Sequence, residues 1–289
     1  MRRVGAILKG LILAPIRALL FPFQRFNRWL SQEPEETAAA EAIGRAFSQP
    51  GLLVEHLAAL RGHLIRSAAV FMLATIAAFA FAASVVDWMA KPIGGIGALQ
   101  AIEVTESVSA FMRVSLMCGA VIALPYIGFE LFAFINPGLT KRERTVVLIS
   151  VPLSLLLLLT GMAFAYYVML PVALPFLLNF MGITTIPRPS NYIRFVTGTM
   201  FWMGVTFQTP LVVYILAMIG LVTAGALRRS WRYAIVGIAV LAAAITPTVD
   251  PVNMGLVMGP MIVLFFLSIG MASLAERSRR RRQARPEAP

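Results

Sequence analysis

The ionisable side chains that could do chemistry in this chain are few and unevenly placed. Glu143 stands among basic residues in the stretch Lys141-Arg142-Glu143-Arg144, directly before a long apolar run. The two histidines, His56 and His63, flank the start of another apolar run. From these positions alone, Glu143 balances its basic neighbours on a solvated loop, and each histidine is an interfacial polar residue rather than a ligand.

Residue patterns typical of enzymes do not occur in the sequence. There is no His-Glu-x-x-His pattern, no Gly-x-Ser-x-Gly elbow and no pair of aspartates inside an apolar run. The one cysteine, Cys118, lies inside an apolar run and allows neither a disulfide nor a cysteine-based metal site. We interpret it as a small buried hydrophobic residue. The sequence therefore argues against an enzyme.

The composition requires lipid around much of the chain. Hydrophobic residues make up 59% of the 289 residues, and the mean hydropathy is +0.81. A soluble domain of this size could not bury so much apolar surface, so the excess must face lipid. The net charge of +12 would suggest nucleic acid in a soluble chain. Here the basic residues gather at the ends of apolar runs, which is typical of a cytoplasmic membrane surface, and we expect no nucleic-acid partner.

Apolar runs of about 17 to 25 residues are the elements that must position the charged side chains. Breaks that contain Gly or Pro separate the runs and stop a helix. The fifth run would form a helix of only about 25 Å, which motivates the hypothesis of a locally thinned bilayer beside it. The segment 170–180 contains two prolines, so we expect a separate interfacial helix there, on the outer side. The six predicted transmembrane helices lie near residues 64–87, 110–134, 145–169, 195–220, 231–247 and 253–275.

The distribution of basic residues predicts the orientation. Most of the 25 lie before the first span, after the second, around the turn between the fourth and fifth, or in the carboxyl-terminal tail. The other side receives only Lys91, Arg113, Arg188 and Arg194. By the positive-inside rule, this poorly charged side is the outside, so both termini are predicted to be cytoplasmic.

The first 50 residues differ from the rest of the chain. Lys9, Pro15 and Arg17 interrupt an apolar stretch at spacings that place the basic residues along one stripe. This pattern favours an amphipathic helix in the membrane interface over a cleaved export signal. An acidic linker rich in alanine follows it. The predicted organisation is a basic amphipathic extension with a linker over 1–50, a six-span membrane domain over 51–276 and a basic cytoplasmic tail over 277–289.

Five segments together carry a family resemblance, through their order and spacing. They are EHLAALRGHL at 55–64, LPYIGFELFAFINPGLTKRER at 124–144, GMAFAYYVMLPVALPFLLNF at 161–180, GVTFQTPLVVYIL at 204–216 and ITPTVDPVNMGLVMGP at 245–260. Read together, they resemble the TatC family, the six-helix core subunit of the twin-arginine protein translocase. The resemblance covers about residues 55–270.

The resemblance implies an all-α integral membrane protein in a bacterial or archaeal cytoplasmic membrane. It implies a receptor that binds paired-arginine signal peptides of folded proteins and translocates them with the single-span partners TatA or TatB, using the proton-motive force. It also implies a homo-oligomer in the receptor complex and no cofactor. Two alternatives stay open: a divergent paralogue that has lost signal binding, and a small-solute transporter. The sequence lacks the internal repeat and the carboxylates near span centres that a transporter would favour.

A signal-binding site follows from the same resemblance. Glu143 is the carboxylate that would accept the planar donor fork of a signal-peptide guanidinium. Phe134 is expected as an apolar neighbour of this binding patch, and Pro137 as a residue that sets the turn of the loop. The resemblance therefore gives Glu143 a receptor role in place of a purely local one.

One departure concerns the start of the first span. His56, Leu60 and Arg61 match the family pattern and are assigned to the signal-binding site. The family usually has a second signal-binding glutamate where this chain has Ala59. Glu55 lies four residues earlier on the same helical face, so we hypothesise that it substitutes for the missing carboxylate.

Further departures lie in the fourth and sixth spans. The resemblance assigns a contact with TatA or TatB to Gln208, together with Phe207 and Met203. The family often has glutamate at position 208, and an amide there still forms hydrogen bonds across a helix interface but does not titrate. Phe266 and Met254 stand where glutamate and glutamine are common. These departures indicate a divergent member.

Four other residues match the family pattern and are expected in structural or outer positions. They are Glu106, Asp250, Pro125 and Tyr233. For Glu106 and Asp250, capping of the helix that follows is at least as good an interpretation as a functional role. Pro125 lies inside a span, where neighbouring groups can satisfy the carbonyl that a proline leaves without a donor.

Overall fold

The computed structural model describes residues 50–135, 141–182, 185–246 and 250–283, with backbone only at 50–57, 141–143 and 279–283. The regular elements in these ranges are helices, which confirms the predicted all-α class. The expected interfacial helix and linker of the first 50 residues lie outside the described residues, apart from the start of the first helix at Pro50.

The first predicted span, 64–87, is two helices instead of one. Helix α1 covers Pro50–Ala78 and helix α2 covers Ala82–Ala90. The turn between them is tightened, because the amides of Phe79 and Phe81 bond to carbonyls three residues earlier. The expectation of one continuous span is therefore wrong, since the apolar run continues through a break that no Pro or Gly marks. The part of α1 that is apolar enough to cross a membrane is 58–78.

Helix α3, Glu106–Ile135, packs antiparallel against α1. It therefore returns the chain to the end of the bundle where α1 begins. The two helices approach closely at Gly119, where an added Cβ would lie 2.7 Å from the Cα of Thr75. A residue without a side chain is required for this crossing. Pro125 lies inside α3 without ending it, as expected for a proline within a membrane helix.

The third predicted span and the segment 170–180 form one continuous run of helix. Helix α4, Lys141–Phe164, passes through a π-helical turn at Ala165–Met169 into α5, Leu170–Leu178. The expectation of a separate interfacial helix is therefore wrong. A proline at position 171 would clash with the carbonyl four residues earlier in a regular helix, and the wider π turn accommodates its ring.

The fourth predicted span, 195–220, is two helices within one membrane-length segment. Helix α6 covers Pro189–Thr206 and α7 covers Thr209–Met218. The break precedes Pro210, whose missing amide would otherwise bond to the carbonyl of residue 206. The expectation of one continuous helix over 195–220 is therefore wrong, and Pro210, which is visible in the sequence, explains the break.

The remaining helices form the last part of the bundle. A short α8 at Ala224–Arg229, which the sequence did not predict, begins with a Thr223 side chain that accepts the amide hydrogen of Ala226 at 3.1 Å. Helix α9, Trp231–Ile245, is short, as expected. Helix α10, Pro251–Gln283, runs beyond the predicted end at 275 and into the expected tail.

In the described ranges, five segments are long and apolar enough to span a membrane, and α9 is a sixth, shorter apolar helix. The predicted fold of six apolar helical segments is thus confirmed. Among the described residues, the largest buried cluster joins side chains of α2, α3, α4, the π turn, α5, α6, α9 and α10. Fully buried examples in this core are Met89, Val114, Leu170, Ile193 and Val196.

Candidate functional site

A buried carboxylate lies at the end of the bundle where α1 begins and α3 ends. Arg66 of α1 donates to both oxygens of Glu130 of α3, from Nε to Oε1 at 2.8 Å and from Nη2 to Oε2 at 2.9 Å. The hydroxyl of Tyr126 donates to Oε1 at 2.7 Å, and Nδ1 of His63 lies 2.6 Å from Oε2. The Glu130 carboxylate is thus satisfied on all sides by two helices. We call His63, Arg66, Tyr126 and Glu130 the Glu130 cluster.

Helical spacing brings these four side chains together. Tyr126 lies one turn before Glu130 on α3, and His63 and Arg66 lie one turn apart on α1, so each pair shares a helix face. Nη2 of Arg66 also lies 2.9 Å from Nδ1 of His63. Nδ1 cannot both donate to Glu130 and accept from Arg66. Because a lone pair at Nδ1 would face the carboxylate oxygen at 2.6 Å, we assign the proton to Nδ1, which donates to Glu130, and the approach of Arg66 Nη2 is then a contact between two donors, not a hydrogen bond.

Phe134, which the sequence assigned to the binding patch, borders this cluster. It lies one turn after Glu130 on α3, and its ring meets the ring of His63 edge to face, with 5.9 Å between centroids. The polar contacts of the Glu130 cluster between α1 and α3 are therefore followed by an aromatic contact near the end of α3.

Several other residues predicted for the signal-binding site lie on the first turns of α1, at the same end of the bundle. Glu55, Ala59 and His63 follow each other at four-residue intervals on α1 and so share one face. Leu60 and Arg61 are exposed. Pro137 and the side chains of Glu55, His56 and Glu143 lie outside the described residues.

The backbone of Glu143 occupies the third position of α4, within its first turn. A carboxylate is favourable there, because the helix dipole places positive charge at the amino-terminal end. In sequence, Thr140 and Glu143 have the spacing of a capping box, in which the glutamate returns a hydrogen bond to the first residue of the helix. Position 143 therefore suits either a local cap or a ligand-facing carboxylate.

Sequence reasoning missed the Glu130 cluster. It treated His63 as an isolated interfacial residue and gave Arg66 and Glu130 no role. The available signal was a glutamate within an apolar run, since an ionisable group inside a membrane segment normally has a partner. Tyr126 four residues earlier was a second signal.

An ionic clasp joins two loops at the opposite end of the bundle. Arg188 donates to Glu103 at 2.9 Å and, from Nε, to Glu106 at 2.7 Å, and its Nη2 also contacts Glu106. Hydrogen bonding to Glu106, and then to Glu103, raises the pKa of the Arg188 guanidinium above its ordinary value. The backbone amide of Gln100 donates to the carbonyl of Pro187 at 3.2 Å. Glu106 therefore ties the start of α3 to the segment before α6.

Asp250 caps α10. Its Oδ1 accepts the backbone amide of Asn253 at 2.7 Å, and its Oδ2 accepts the side-chain amide of the same residue at 2.8 Å. This is the capping interpretation that the sequence offered. Tyr233, in the first turn of α9, is 81% exposed.

The residues assigned to partner contact lie at the break between α6 and α7. The Gln208 amide donates to the backbone carbonyl of Ser154 in α4 at 2.6 Å, so it bonds within the chain. Phe207 packs near Phe164, with 5.8 Å between ring centroids. Met203 is only 2% exposed. Its side chain therefore packs among the chain's own helices.

Within the described ranges, no group of three or more His, Cys, Asp or Glu side chains could hold a metal ion. What these residues offer is a carboxylate that accepts a guanidinium fork, surrounded by helices of membrane length. The fold and the site thus define a polytopic, all-helical membrane protein whose polar chemistry at this end is arginine–carboxylate pairing.

The comparisons identify the family. The model of the family described as Sec-independent protein translocase protein (TatC) matches residues 55–260. The chain belongs to the TatC family. It is therefore a component of a protein translocase of the twin-arginine pathway, not an enzyme.

Known relatives agree with this assignment along most of the chain. The Sec-independent protein translocase protein TatC of Koribacter versatilis is 34% identical over 265 residues, which are 86% of this chain and 96% of the relative. The chloroplastic protein TATC of Arabidopsis thaliana is 32% identical over 78% of this chain and 67% of its own length. A crystal structure described as the twin-arginine translocase receptor TatC superposes with a TM-score of 0.68 at 32% identity, covering 76% of this chain and 99% of that one.

Proposed function

We propose that this chain is the receptor subunit of a twin-arginine translocase and binds paired-arginine signal peptides of folded proteins. The observation that carries the proposal is the meeting of three elements at one end of the bundle. The exposed Leu60 and Arg61 near the start of α1, Phe134 near the end of α3 and the first turn of α4 at Glu143 all belong to that end.

Glu143 is the principal ligand in this proposal. A guanidinium presents two parallel donors that match the two oxygens of a carboxylate, whereas an ammonium is a point charge. A carboxylate within the first turn of a helix is also held in one region by the backbone. Its basic neighbours favour a cytoplasmic location of the loop through the positive-inside rule.

The membrane setting completes the proposal. We infer that both termini are cytoplasmic and that the chain works in the cytoplasmic membrane of a bacterium or archaeon. It would translocate its substrates with TatA or TatB, driven by the proton-motive force, in a receptor complex that contains more than one copy. Phe207 and Gln208, at the break between α6 and α7, are the proposed contact with the single-span partners.

The test separates a ligand role of Glu143 from a capping role. Glu143→Gln keeps a side-chain acceptor for a cap but removes the charge, and Thr140→Ala removes the other half of the capping box. A charge-assisted hydrogen bond contributes about 1.5–3 kcal/mol, so Glu143→Gln should weaken binding of a paired-arginine peptide by roughly 10- to 100-fold. Thr140→Ala should leave that affinity unchanged.

The measurement is a fluorescence-anisotropy titration of labelled signal peptide onto the full chain in lipid nanodiscs. Equal affinity of the Glu143→Gln variant and the unchanged chain would contradict the receptor role of this residue. Equal binding of paired-arginine and paired-lysine peptides by the unchanged chain would favour the paralogue that has lost signal binding.

A further inference from the structure

The pairing of Arg66 with Glu130 has the geometry expected when a carboxylate binds an arginine of a ligand. Two donors of one guanidinium reach the two oxygens of one carboxylate, at 2.8 and 2.9 Å. Tyr126 and His63 fix the carboxylate from other directions. Glu130 is therefore a preorganised acceptor for a planar fork of donors, and the fork it holds belongs to this chain.

The partners of Glu130 differ in exposure to solvent. The side chain of Glu130 is 8% exposed and that of His63 is 20% exposed, whereas that of Arg66 is 45% exposed. Tyr126 belongs to the same helix as Glu130 and cannot leave it. Arg66 is thus the outermost partner, and its departure would uncover the carboxylate without disturbing the other two donors.

The cluster also lies beside the position where the family's second glutamate is missing. Ala59 and His63 share a face of α1 and are four residues apart, about 6 Å along the helix axis. His63 contacts Glu130 directly. The carboxylate of Glu130 therefore contacts the residue that lies one helical turn after Ala59 on α1.

We propose that Glu130 is a second arginine-binding carboxylate of this chain, and that Arg66 occupies it until an arginine of the signal peptide displaces it. This inference rests on the proposed receptor function and names the residue that selects the second arginine. The exchange replaces one bidentate guanidinium by another, so the buried carboxylate keeps its charge pairing throughout. A lysine would not reproduce the fork, which gives the site its preference.

The proposal differs from two simpler accounts. If the cluster only ties α1 to α3, removal of Arg66 lowers stability and leaves peptide binding unchanged or weaker. If Glu55 supplies the second carboxylate, Glu55→Gln weakens binding and Glu130→Gln does not. Displacement alone predicts that loss of the Arg66 fork strengthens binding, because the peptide then has no competitor.

The experiment measures affinities of four peptides, with Arg-Arg, Arg-Lys, Lys-Arg and Lys-Lys pairs, for the full chain in nanodiscs. The variants are Glu130→Gln, Arg66→Lys, Arg66→Gln, Glu55→Gln and Glu143→Gln. We expect Glu130→Gln to weaken binding of the Arg-Arg peptide by about tenfold or more. The affinity for one of the two mixed peptides should be unchanged. Both Arg66 variants should bind the Arg-Arg peptide several-fold more tightly, and Arg66→Lys keeps a charge beside Glu130 if Arg66→Gln fails to fold.

Two results would overturn the inference and are distinguishable. If Glu143→Gln weakens arginine-dependent binding but Glu130→Gln leaves the affinity and the arginine preference intact, Glu130 is not a ligand and the receptor function stands. If the unchanged chain shows no preference for arginine, the proposed function fails, and this inference fails with it. Thermal unfolding of each variant identifies losses that come from misfolding.

Discussion

The crossing of α1 and α3 at Gly119 gives a prediction whose size can be worked out from the structure. A Cβ added at this position would lie 2.2 Å from Oγ1, 2.7 Å from Cα and 2.8 Å from the backbone nitrogen of Thr75. The hydroxyl could rotate away, but the backbone atoms cannot move unless the two helices separate. Gly119→Ala therefore overpacks the interface that carries the Glu130 cluster.

The expected cost follows from two opposing terms. Overpacking a well-filled interior costs about 1–3 kcal/mol, and replacing a helical glycine by alanine stabilises a helix by about 1 kcal/mol. The contact with backbone atoms places Gly119→Ala at the upper end of the first range, so we expect a net loss of about 1–2 kcal/mol. Gly198 in α6 is the matched control, because an added Cβ there meets nothing within 4 Å.

The assay is unfolding of the purified chain by titration with a denaturing detergent, followed by circular dichroism. Gly119→Ala should unfold at a lower denaturant fraction than the unchanged chain, and Gly198→Ala at an equal or higher one. If the two variants unfold together, the close crossing of α1 and α3 does not limit packing and the reasoning is refuted.

Three further predictions concern single contacts. Arg188→Ala removes the ionic clasp, so hydrogen exchange at the amide of Gln100 should become faster; unchanged exchange would mean that the loops hold without it. Tyr192→Phe removes a hydroxyl that bonds to the carbonyl of Met89 at 2.7 Å and should lower unfolding stability by about 1 kcal/mol; a neutral effect in detergent unfolding would contradict that role. Asp250→Ala removes a helix cap and should cost about 1 kcal/mol in the same assay, whereas Asp250→Asn should cost much less.

Hydropathy predicted the number of apolar segments because each must cross lipid on its own, which makes the signal local in sequence. It also predicted the short length of α9. It could not predict the break after Ala78, because no residue type there stops a helix. That break accompanies tertiary contacts, in which Tyr166 and Tyr192 bond to the carbonyls of Trp88 and Met89 near the end of α2.

Prolines gave signals whose outcome depended on the surroundings. Pro210 separates two helices, whereas the π turn before Pro171 carries the helix past it. Both positions lacked an amide donor, but only the local backbone decided how the helix adapted. Sequence alone therefore located the irregularities without determining their form.

The candidate site was predictable only in part. Phe134 was assigned from a family pattern, and the structure adds its contact with His63. The partnership of Glu130 with Arg66 links residues 64 positions apart, and no local pattern reveals such a pair. Burial of Met203 was likewise invisible, because it depends on how the helices around α6 pack.

The most direct test of the central claim is site-specific photocrosslinking in membrane vesicles. A photoreactive residue replaces Leu60, which is 38% exposed on α1, and the ligands are signal peptides that differ only in carrying paired arginine or paired lysine. A probe at the exposed position of Tyr233 serves as the control. The receptor account predicts a crosslink from position 60 that forms only with the paired-arginine peptide. At position 233 it predicts no difference in crosslinking yield between the two peptides. Crosslinks of equal yield with both peptides at position 60 would contradict it.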